Sequence, residues 1–331
     1  MSSATITRKI GNSDIEASAV GLGTWAMGGW MWGGTDEAQS ISAVQAAIDE
    51  GVSLIDTAPA YGMGKSEELV GAAIKGRRDK VILSTKCGLA WHTTQGNHFF
   101  DQAGKPVHRY LGAASIAYEL EQSLKRLGTD YVDHYITHWQ DPTTPISETL
   151  EALIKLKEQG KIRSIGVSNV SLEDLNGYID AGQIDAIQEC YSMIDRGVEK
   201  TLLPTCADNT ISCLSYSSLA LGLLSGKVGP DRQFEGDDQR KDNPRFSPEN
   251  RRKISALFEE IKPIADEHSL TIAQLVIAWT ISRPGITFAL CGARNPEQAI
   301  ENAKAGRVHL SAGDVASIDK SVDHYLENMD S

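Results

Sequence analysis

Four polar side chains stand at or just beyond the ends of apolar runs and together have the chemistry of proton donation to a developing alkoxide: Asp56, Tyr61, Lys86 and His138. The first two belong to the stretch 53–62, where Leu54 and Ile55 suit a buried strand while Pro59 and Gly62 end it in a turn. A phenol has an ordinary pKa of about 10, and a neighbouring Lys86 ammonium favours the phenolate and lowers that value. An ammonium buried alone sheds its proton, so Asp56 supplies the compensating carboxylate. His138 can hold a carbonyl oxygen by hydrogen bonding and help to polarise it. Each residue taken singly has an ordinary reading as a solvated or packed strand-end side chain, and it is their convergence on one rim that carries the chemistry.

Nothing in that set supplies electrons. No His/Cys group has metal-site spacing and no activated Ser or Cys arrangement is visible, so the expected metal content is none and reduction needs an organic hydride donor. Ser168, Asn169 and Gln188 offer groups that suit a carboxamide, and Tyr216 a face for a flat ring. Gly292-Ala293-Arg294-Asn295-Pro296 combines a glycine turn, an arginine and a helix start, which together suit a phosphate. Gly21-Leu22-Gly23 is weak evidence for a dinucleotide fold, because no third glycine has the fingerprint spacing and Thr24-Trp25 continues the strand.

The elements that must position these groups alternate. Strand-like runs at 20–25, 53–57, 81–86, 132–138, 164–168, 185–190, 211–216 and 287–291 are separated by helix-like segments. Helices are expected over 36–50, 66–75, 115–127, 145–159, 171–181, 199–208, 271–282 and 296–304, several with a capping residue at the start and glycine at the end. Eight such alternations favour a closed α/β (β/α)₈ TIM barrel, read as a single domain over 1–331, above an open sheet. The first twenty residues suggest a hairpin around Gly11-Asn12. Two polar, glycine-containing stretches, 88–110 and 226–250, read as long functional loops at the C-terminal face, and 311–325 as an extra helix.

Composition narrows the partners. With 44 Asp and Glu against 32 Lys and Arg, the net charge of −12 repels phosphate backbones and anionic lipid, so neither nucleic acid nor membrane is an expected partner. The five cysteines are scattered and read as reduced core residues. Met1 to Lys9 has no apolar signal segment, and no stretch reaches the roughly 18 apolar residues of a membrane span, so a cytoplasmic protein is expected. No heptad or exposed apolar repeat specifies an oligomer, which leaves a monomer or weak homo-oligomer.

Five stretches in order, 55–62, 80–86, 138–142, 160–169 and 292–298, make the chain resemble the aldo-keto reductase superfamily from Gly21 to about Gly306. The resemblance implies a (β/α)₈ barrel, NADP(H) as preferred cofactor with NAD(H) as the alternative, and a catalytic set of Asp56, Tyr61, Lys86 and His138, with Tyr61 as proton donor. It implies nicotinamide contacts from Ser168, Asn169 and Gln188, stacking on Tyr216, and pyrophosphate contacts from Ser217, Leu219, Gly222 and Lys227. Arg294 falls to the 2′-phosphate and Gln298 and Asn302 to the adenine, with Gly23, Thr24, Trp25, Asp56, Leu221, Gly292 and Glu301 completing the cofactor site. Trp25, Trp30, Trp32, Tyr61, Trp91, His138 and Trp139 are the implied substrate pocket. Many members have proline where this chain has Gln140 and Ser218; the first change places an amide near the mouth and the second frees a turn. The chain is most similar to the bacterial branch near the inositol-operon and general-stress reductases, which implies reduction of short carbonyls such as glyceraldehyde and reverse oxidation of polyols such as glycerol. An NAD-dependent inositol or other polyol dehydrogenase and a non-catalytic cofactor-sensing barrel are the alternatives.

Overall fold

The computed structural model describes residues 4–327; both ends of the 1–331 domain reading, and the first three residues of the Met1 to Lys9 segment, lie outside the described residues. The chain opens with a hairpin, β1 (Thr7–Lys9) and β2 (Glu16–Ser18), and continues through β3 (Val20–Gly23), α1 (Glu37–Asp49), β4 (Leu54–Asp56), α2 (Lys65–Ile74) and β5 (Ile82–Cys87). A small excursion follows, made of β6 (Leu89–Ala90), β7 (Asn97–Gln102) and β8 (Lys105–Arg109). The alternation resumes with α3 (Ala113–Leu127), β9 (Val132–Thr137), α4 (Ile146–Glu158), β10 (Ile162–Ser168), α5 (Leu172–Ala181), β11 (Ala186–Cys190), α6 (Leu202–Asp208) and β12 (Ser212–Tyr216). It ends with α7 (Pro248–Glu267), α8 (Ile272–Ser282), β13 (Phe288–Gly292), α9 (Pro296–Ala305) and α10 (Ala312–Glu327).

Eight of these strands, β3, β4, β5, β9, β10, β11, β12 and β13, pair in parallel in that order, and β13 returns to β3 to close the barrel. All eight expected strands are present, displaced at their ends by a few residues at most. The helices start where capping chemistry places them. Asp36 accepts a hydrogen bond from Gln39 N (3.0 Å) at the head of α1, and reciprocal capping boxes open α5 at Ser171/Asp174 and α8 at Thr271/Gln274. On α3 the buried Ile116, Leu120, Leu124 and Leu127 face the sheet, and Gly128 ends the helix in the left-handed conformation.

The hairpin seals the N-terminal end of the barrel. Its Ile10, Ile15 and Ala17 join a buried cluster with Leu54, Ala186, Leu214 and Phe288, residues near the beginnings of four barrel strands. Gly11, at φ +51°, lies so close to Asp185 that a Cβ would sit 2.0 Å from its carbonyl oxygen. Gly11→Ala is therefore expected to combine left-handed strain with a backbone clash and to cost about 1–3 kcal/mol, read as a lower urea midpoint.

Two expectations are corrected. The stretch 88–110 is not a bare loop: β6, β8 and β7 form an antiparallel sheet at the barrel mouth. Residues 248–267, assigned no element from sequence, form the twenty-residue α7, capped by Ser247 and burying Ile254, Leu257, Ile261 and Ala265. Among the described residues no helix is long and apolar enough to cross a membrane.

Candidate active site

Strand alternation points Asp56, Lys86 and His138 toward the barrel axis from adjacent strands or their ends, because residues two apart share a face. The Lys86 side chain is 1% exposed and that of Asp56 5%, so the pair is a buried salt bridge. All three ammonium protons are engaged: Nζ donates to Asp56 Oδ1 (2.9 Å), Asp56 Oδ2 (2.7 Å) and the Thr57 carbonyl (2.9 Å). Asp56 Oδ1 also accepts from Ser84 Oγ (3.2 Å) and Gln188 Nε2 (2.9 Å). Burial pulls the Lys86 pKa down and the Asp56 charge opposes it, leaving it lowered.

Tyr61 sits on the turn between β4 and α2. Its position is fixed by backbone packing: a Cβ on Gly28 would lie 2.5 Å from the Tyr61 carbonyl carbon, and one on Gly62 2.3 Å from the Gly28 carbonyl oxygen. Lys86 Nζ lies over the phenol ring, 5.0 Å from its centroid, and the His138 ring stands perpendicular to the phenol at 5.7 Å. The expected lowering of the phenol pKa is overturned, because burial raises it well above its ordinary value and the Asp56 charge raises it further. Burial and, secondarily, the Lys86 charge hold His138 well below the ordinary histidine value. At neutral pH the site therefore presents a protonated phenol and a neutral imidazole side by side.

A cavity of about 400 Å³ begins at Asp56 and Tyr61 and runs outward between β12, β13 and the segment after β3. It is lined by Gly23, Thr24, Trp25, Trp32, Asp56, Tyr61, Tyr216, Ser217, Leu219, Leu221, Gly222 and Lys227, and farther along by Gly292, Arg294, Gln298, Glu301 and Asn302. Asn169 is joined to it through Tyr216, whose hydroxyl donates to Asn169 Oδ1 (2.7 Å), while Asn169 Nδ2 donates to the His138 carbonyl (2.8 Å). Ser168 Oγ donates to the Gln188 carbonyl (2.6 Å), and Gln188, through its bond to Asp56, ties this cradle to the salt bridge. The Arg294 guanidinium donates to the carbonyls of Trp32 (3.1 Å) and Gly34 (2.6 Å), so its hydrogen-bond partners carry no formal charge. Lys227 pairs with Glu301.

The two departures from the family pattern are both tied down. Ser218 is buried and its hydroxyl has the carbonyls of Ser215 (3.1 Å) and Leu290 (3.3 Å) as acceptors for its one proton, which pins the turn instead of freeing it. Gln140 donates to the Ser168 carbonyl (3.2 Å) and accepts from Tyr178 (2.9 Å).

The long 226–250 stretch contributes lining residues that were not assigned from sequence, Arg232, Phe234 and Arg240. It is bound to the opposite rim: Asp237 accepts from the backbone of Met31 (3.0 Å) and Gly33 (2.9 Å), and the Arg240 guanidinium lies over the Trp32 ring (5.0 Å) and the Phe234 ring (4.5 Å). The only advance signals were the length and polarity of the stretch.

The aromatic residues divide. Trp32 meets Trp25 edge-on at 5.4 Å, and Trp25 stacks on Tyr61 at 6.2 Å. Trp139 contacts Phe99 (5.3 Å), Phe99 contacts Phe100 (5.3 Å), and Phe100 stacks on Trp30 (5.2 Å). Phe99 and Phe100 were also missed from sequence, because they lie in the stretch read as loop. Trp91 lines a separate cavity of about 160 Å³ with Tyr118 and Glu119. Among the described residues no group of three or more His, Cys, Asp or Glu could hold a metal ion.

Comparison with known proteins agrees with this fold. The chain is 46% identical over 292 residues to aldo-keto reductase YhdN of Bacillus subtilis (87% of this chain, 85% of that one). It is 40% identical over 311 residues to the NADH-specific methylglyoxal reductase of Escherichia coli (92% and 94%). Among solved structures, the glycerol dehydrogenase AKR11B4 from Gluconobacter oxydans superposes with a TM-score of 0.86 at 36% identity (97% and 96% covered). An aldo-keto reductase from Klebsiella pneumoniae in complex with NADPH superposes with 0.73 at 32% (96% and 95%). Residues 19–323 match the model of the Aldo/keto reductase family, and the chain belongs to that family.

Proposed function

We propose that the protein reduces short aldehydes and ketones, such as glyceraldehyde, with NADPH, and oxidises polyols such as glycerol in reverse, with Tyr61 as the general acid and base. The observation that carries this reading is the protonated Tyr61 phenol beside a neutral His138, at the inner end of a cavity whose outer reach holds Arg294. NADPH, when bound, supplies the hydride to the carbonyl carbon.

The chain's own residues do the rest. Tyr216 offers its ring to the cavity while its hydroxyl is held by Asn169, so the ring is fixed before any ligand arrives. His138 donates a hydrogen bond to the carbonyl oxygen, and Tyr61 delivers its proton to that oxygen as negative charge develops there. In the reverse direction the Tyr61 phenolate takes the alcohol proton. The buried Lys86 ammonium, over the Tyr61 ring and neutralised by Asp56, stabilises the phenolate formed after proton transfer. The relative from Klebsiella pneumoniae, in complex with NADPH, supports the same cofactor here, and the glycerol dehydrogenase supports polyols as substrates.

Arg294 gives the cofactor test. Among the described residues its guanidinium is held by backbone carbonyls and forms no salt bridge, so its charge remains for a phosphate. Arg294→Ala is expected to raise the KM for NADPH by about tenfold or more while changing that for NADH less than about twofold, since one charge-assisted contact is worth about 1.5–3 kcal/mol. Equal effects on both cofactors would remove Arg294 from the phosphate role. The E. coli relative, NADH-specific by name, favours NADH-dependent activity as the second reading, and steady-state rates with the two cofactors separate the two.

A further inference from the structure

The sheet of β6, β8 and β7 turns two aromatic rings toward one another at the barrel mouth although they are neighbours in sequence. Side chains alternate along a regular strand, so Phe99 and Phe100 would face opposite ways. The β7–β8 register shifts here: His98 pairs with His108 and Phe100 with Val107, which leaves Phe99 as an extra residue. A bulge of this kind re-aims side chains. Its result is a Phe99–Phe100 ring separation of 5.3 Å, with Phe100 stacked on Trp30 and Phe99 against Trp139.

That pair joins Trp30 to Trp139. From Trp139 the adjacent residue is His138, whose ring meets Tyr61; from Trp30, Trp32 lies two positions on, and its contact with Trp25 returns to Tyr61. The rings thus form two groups, Trp30–Phe100–Phe99–Trp139 and Trp32–Trp25–Tyr61–His138, which the chain joins at 138–139 and across 30–32, and the bulged strand supplies the middle of the first. Phe99 keeps 37% of its surface exposed, and the Arg109 guanidinium lies over its ring at 5.2 Å. A ring fixed by neighbours but still open to water is prepared to stack with a ligand. Two of the strand's polar residues, His98 and Asp101, are exposed and contact each other.

We infer that Phe99 and Phe100 are specificity-determining residues that favour carbonyl substrates bearing a planar group about one ring in size over equally reactive substrates bearing a methyl group. The inference rests on the proposed carbonyl reduction and deepens it by naming a substrate class within the short carbonyls.

A matched pair of dicarbonyls tests it. Phenylglyoxal and methylglyoxal present the same aldehyde and differ in the ring. The wild-type protein is expected to show a KM for phenylglyoxal about tenfold below that for methylglyoxal, equivalent to about 1.4 kcal/mol. Phe99→Leu and Phe100→Leu, which keep apolar bulk and remove the ring, should abolish most of that difference and leave methylglyoxal kinetics within about twofold. Thermal unfolding of each variant shows whether the protein has kept its fold; Phe99→Tyr, which restores a ring, should restore the preference. A wild-type protein that reduces both without preference, or variants that lose both activities in proportion, would overturn the inference while carbonyl reduction stands. Failure to reduce either dicarbonyl or glyceraldehyde would remove the proposed activity and the inference with it.

Discussion

Replacing Tyr61 by phenylalanine is expected to lower carbonyl reduction by about 10²–10⁴-fold, the range for loss of a positioned general acid. The ring remains, so its stacking on Trp25 and its contact with His138 persist, and cofactor affinity measured by quenching of protein fluorescence should change little. Retained turnover would reject the assignment. The wild-type pH profile gives a second check. Burial and Asp56 both raise the phenol pKa, and the proton-bearing form is the one that reduces. Reduction should consequently hold level through neutrality and fall only in the alkaline range, above the ordinary phenol value of about 10. A fall near neutrality assigned to Tyr61 would show that a charge other than Asp56 dominates the phenol.

The second large effect concerns the salt bridge beneath it. Asp56→Ala strands an ammonium whose side chain is 1% exposed and also deprives Gln188 and Ser84 of their acceptor. Breaking a buried pair from one side costs about 3–5 kcal/mol, so urea unfolding should show a large fraction of the stability lost. Adding Lys86→Met removes the stranded charge and should recover most of that stability. Activity should not return with it, because the double variant has no cation over the Tyr61 ring. Recovery of both would make the pair a structural feature with no part in the chemistry.

These residues were legible in the sequence for a physical reason. A parallel strand buried on both faces is a short apolar run with a sharp end, and the barrel topology then places every such end on one rim. That rule alone places Asp56, Lys86 and His138 on one rim. What the rule does not give is local environment. Whether Lys86 or Asp56 sets the Tyr61 phenol depends on distances and burial, and here all three ammonium protons are taken by Asp56 and Thr57. Gln188 was assigned to a carboxamide because an amide at a strand end suits one, yet its amide nitrogen is bound to Asp56 across the barrel.

The missed elements have other causes. In α7 the buried stripe of Ile254, Leu257, Ile261 and Ala265 has helical spacing and follows a Ser247-Pro248 start, but the intervening charges and the internal Pro263 obscure it. The sheet of β6, β8 and β7 is short and interrupted by a bulge, so alternation fails at Phe99 and Phe100, where a period-two reading needs it. Ser218 illustrates the limit of comparing residue types. Losing a proline suggests looseness, whereas a buried hydroxyl placed between two carbonyl acceptors restores the constraint by another route.

The closure of the barrel by β13 against β3 has a consequence for synthesis. Strand β3 ends at residue 23 and its partner begins at 288, and Arg8 on the hairpin is held by the carbonyls of Ile281, Ile286 and Thr287. A ribosome must therefore deliver almost the whole polypeptide before its first segment can dock. Until then the nascent chain carries an unpaired strand edge at each end of an open sheet, the arrangement most prone to self-association. C-terminal truncation before residue 288 should accordingly yield material that depends on chaperones or aggregates, even though Asp56, Tyr61, Lys86 and His138 have already been made.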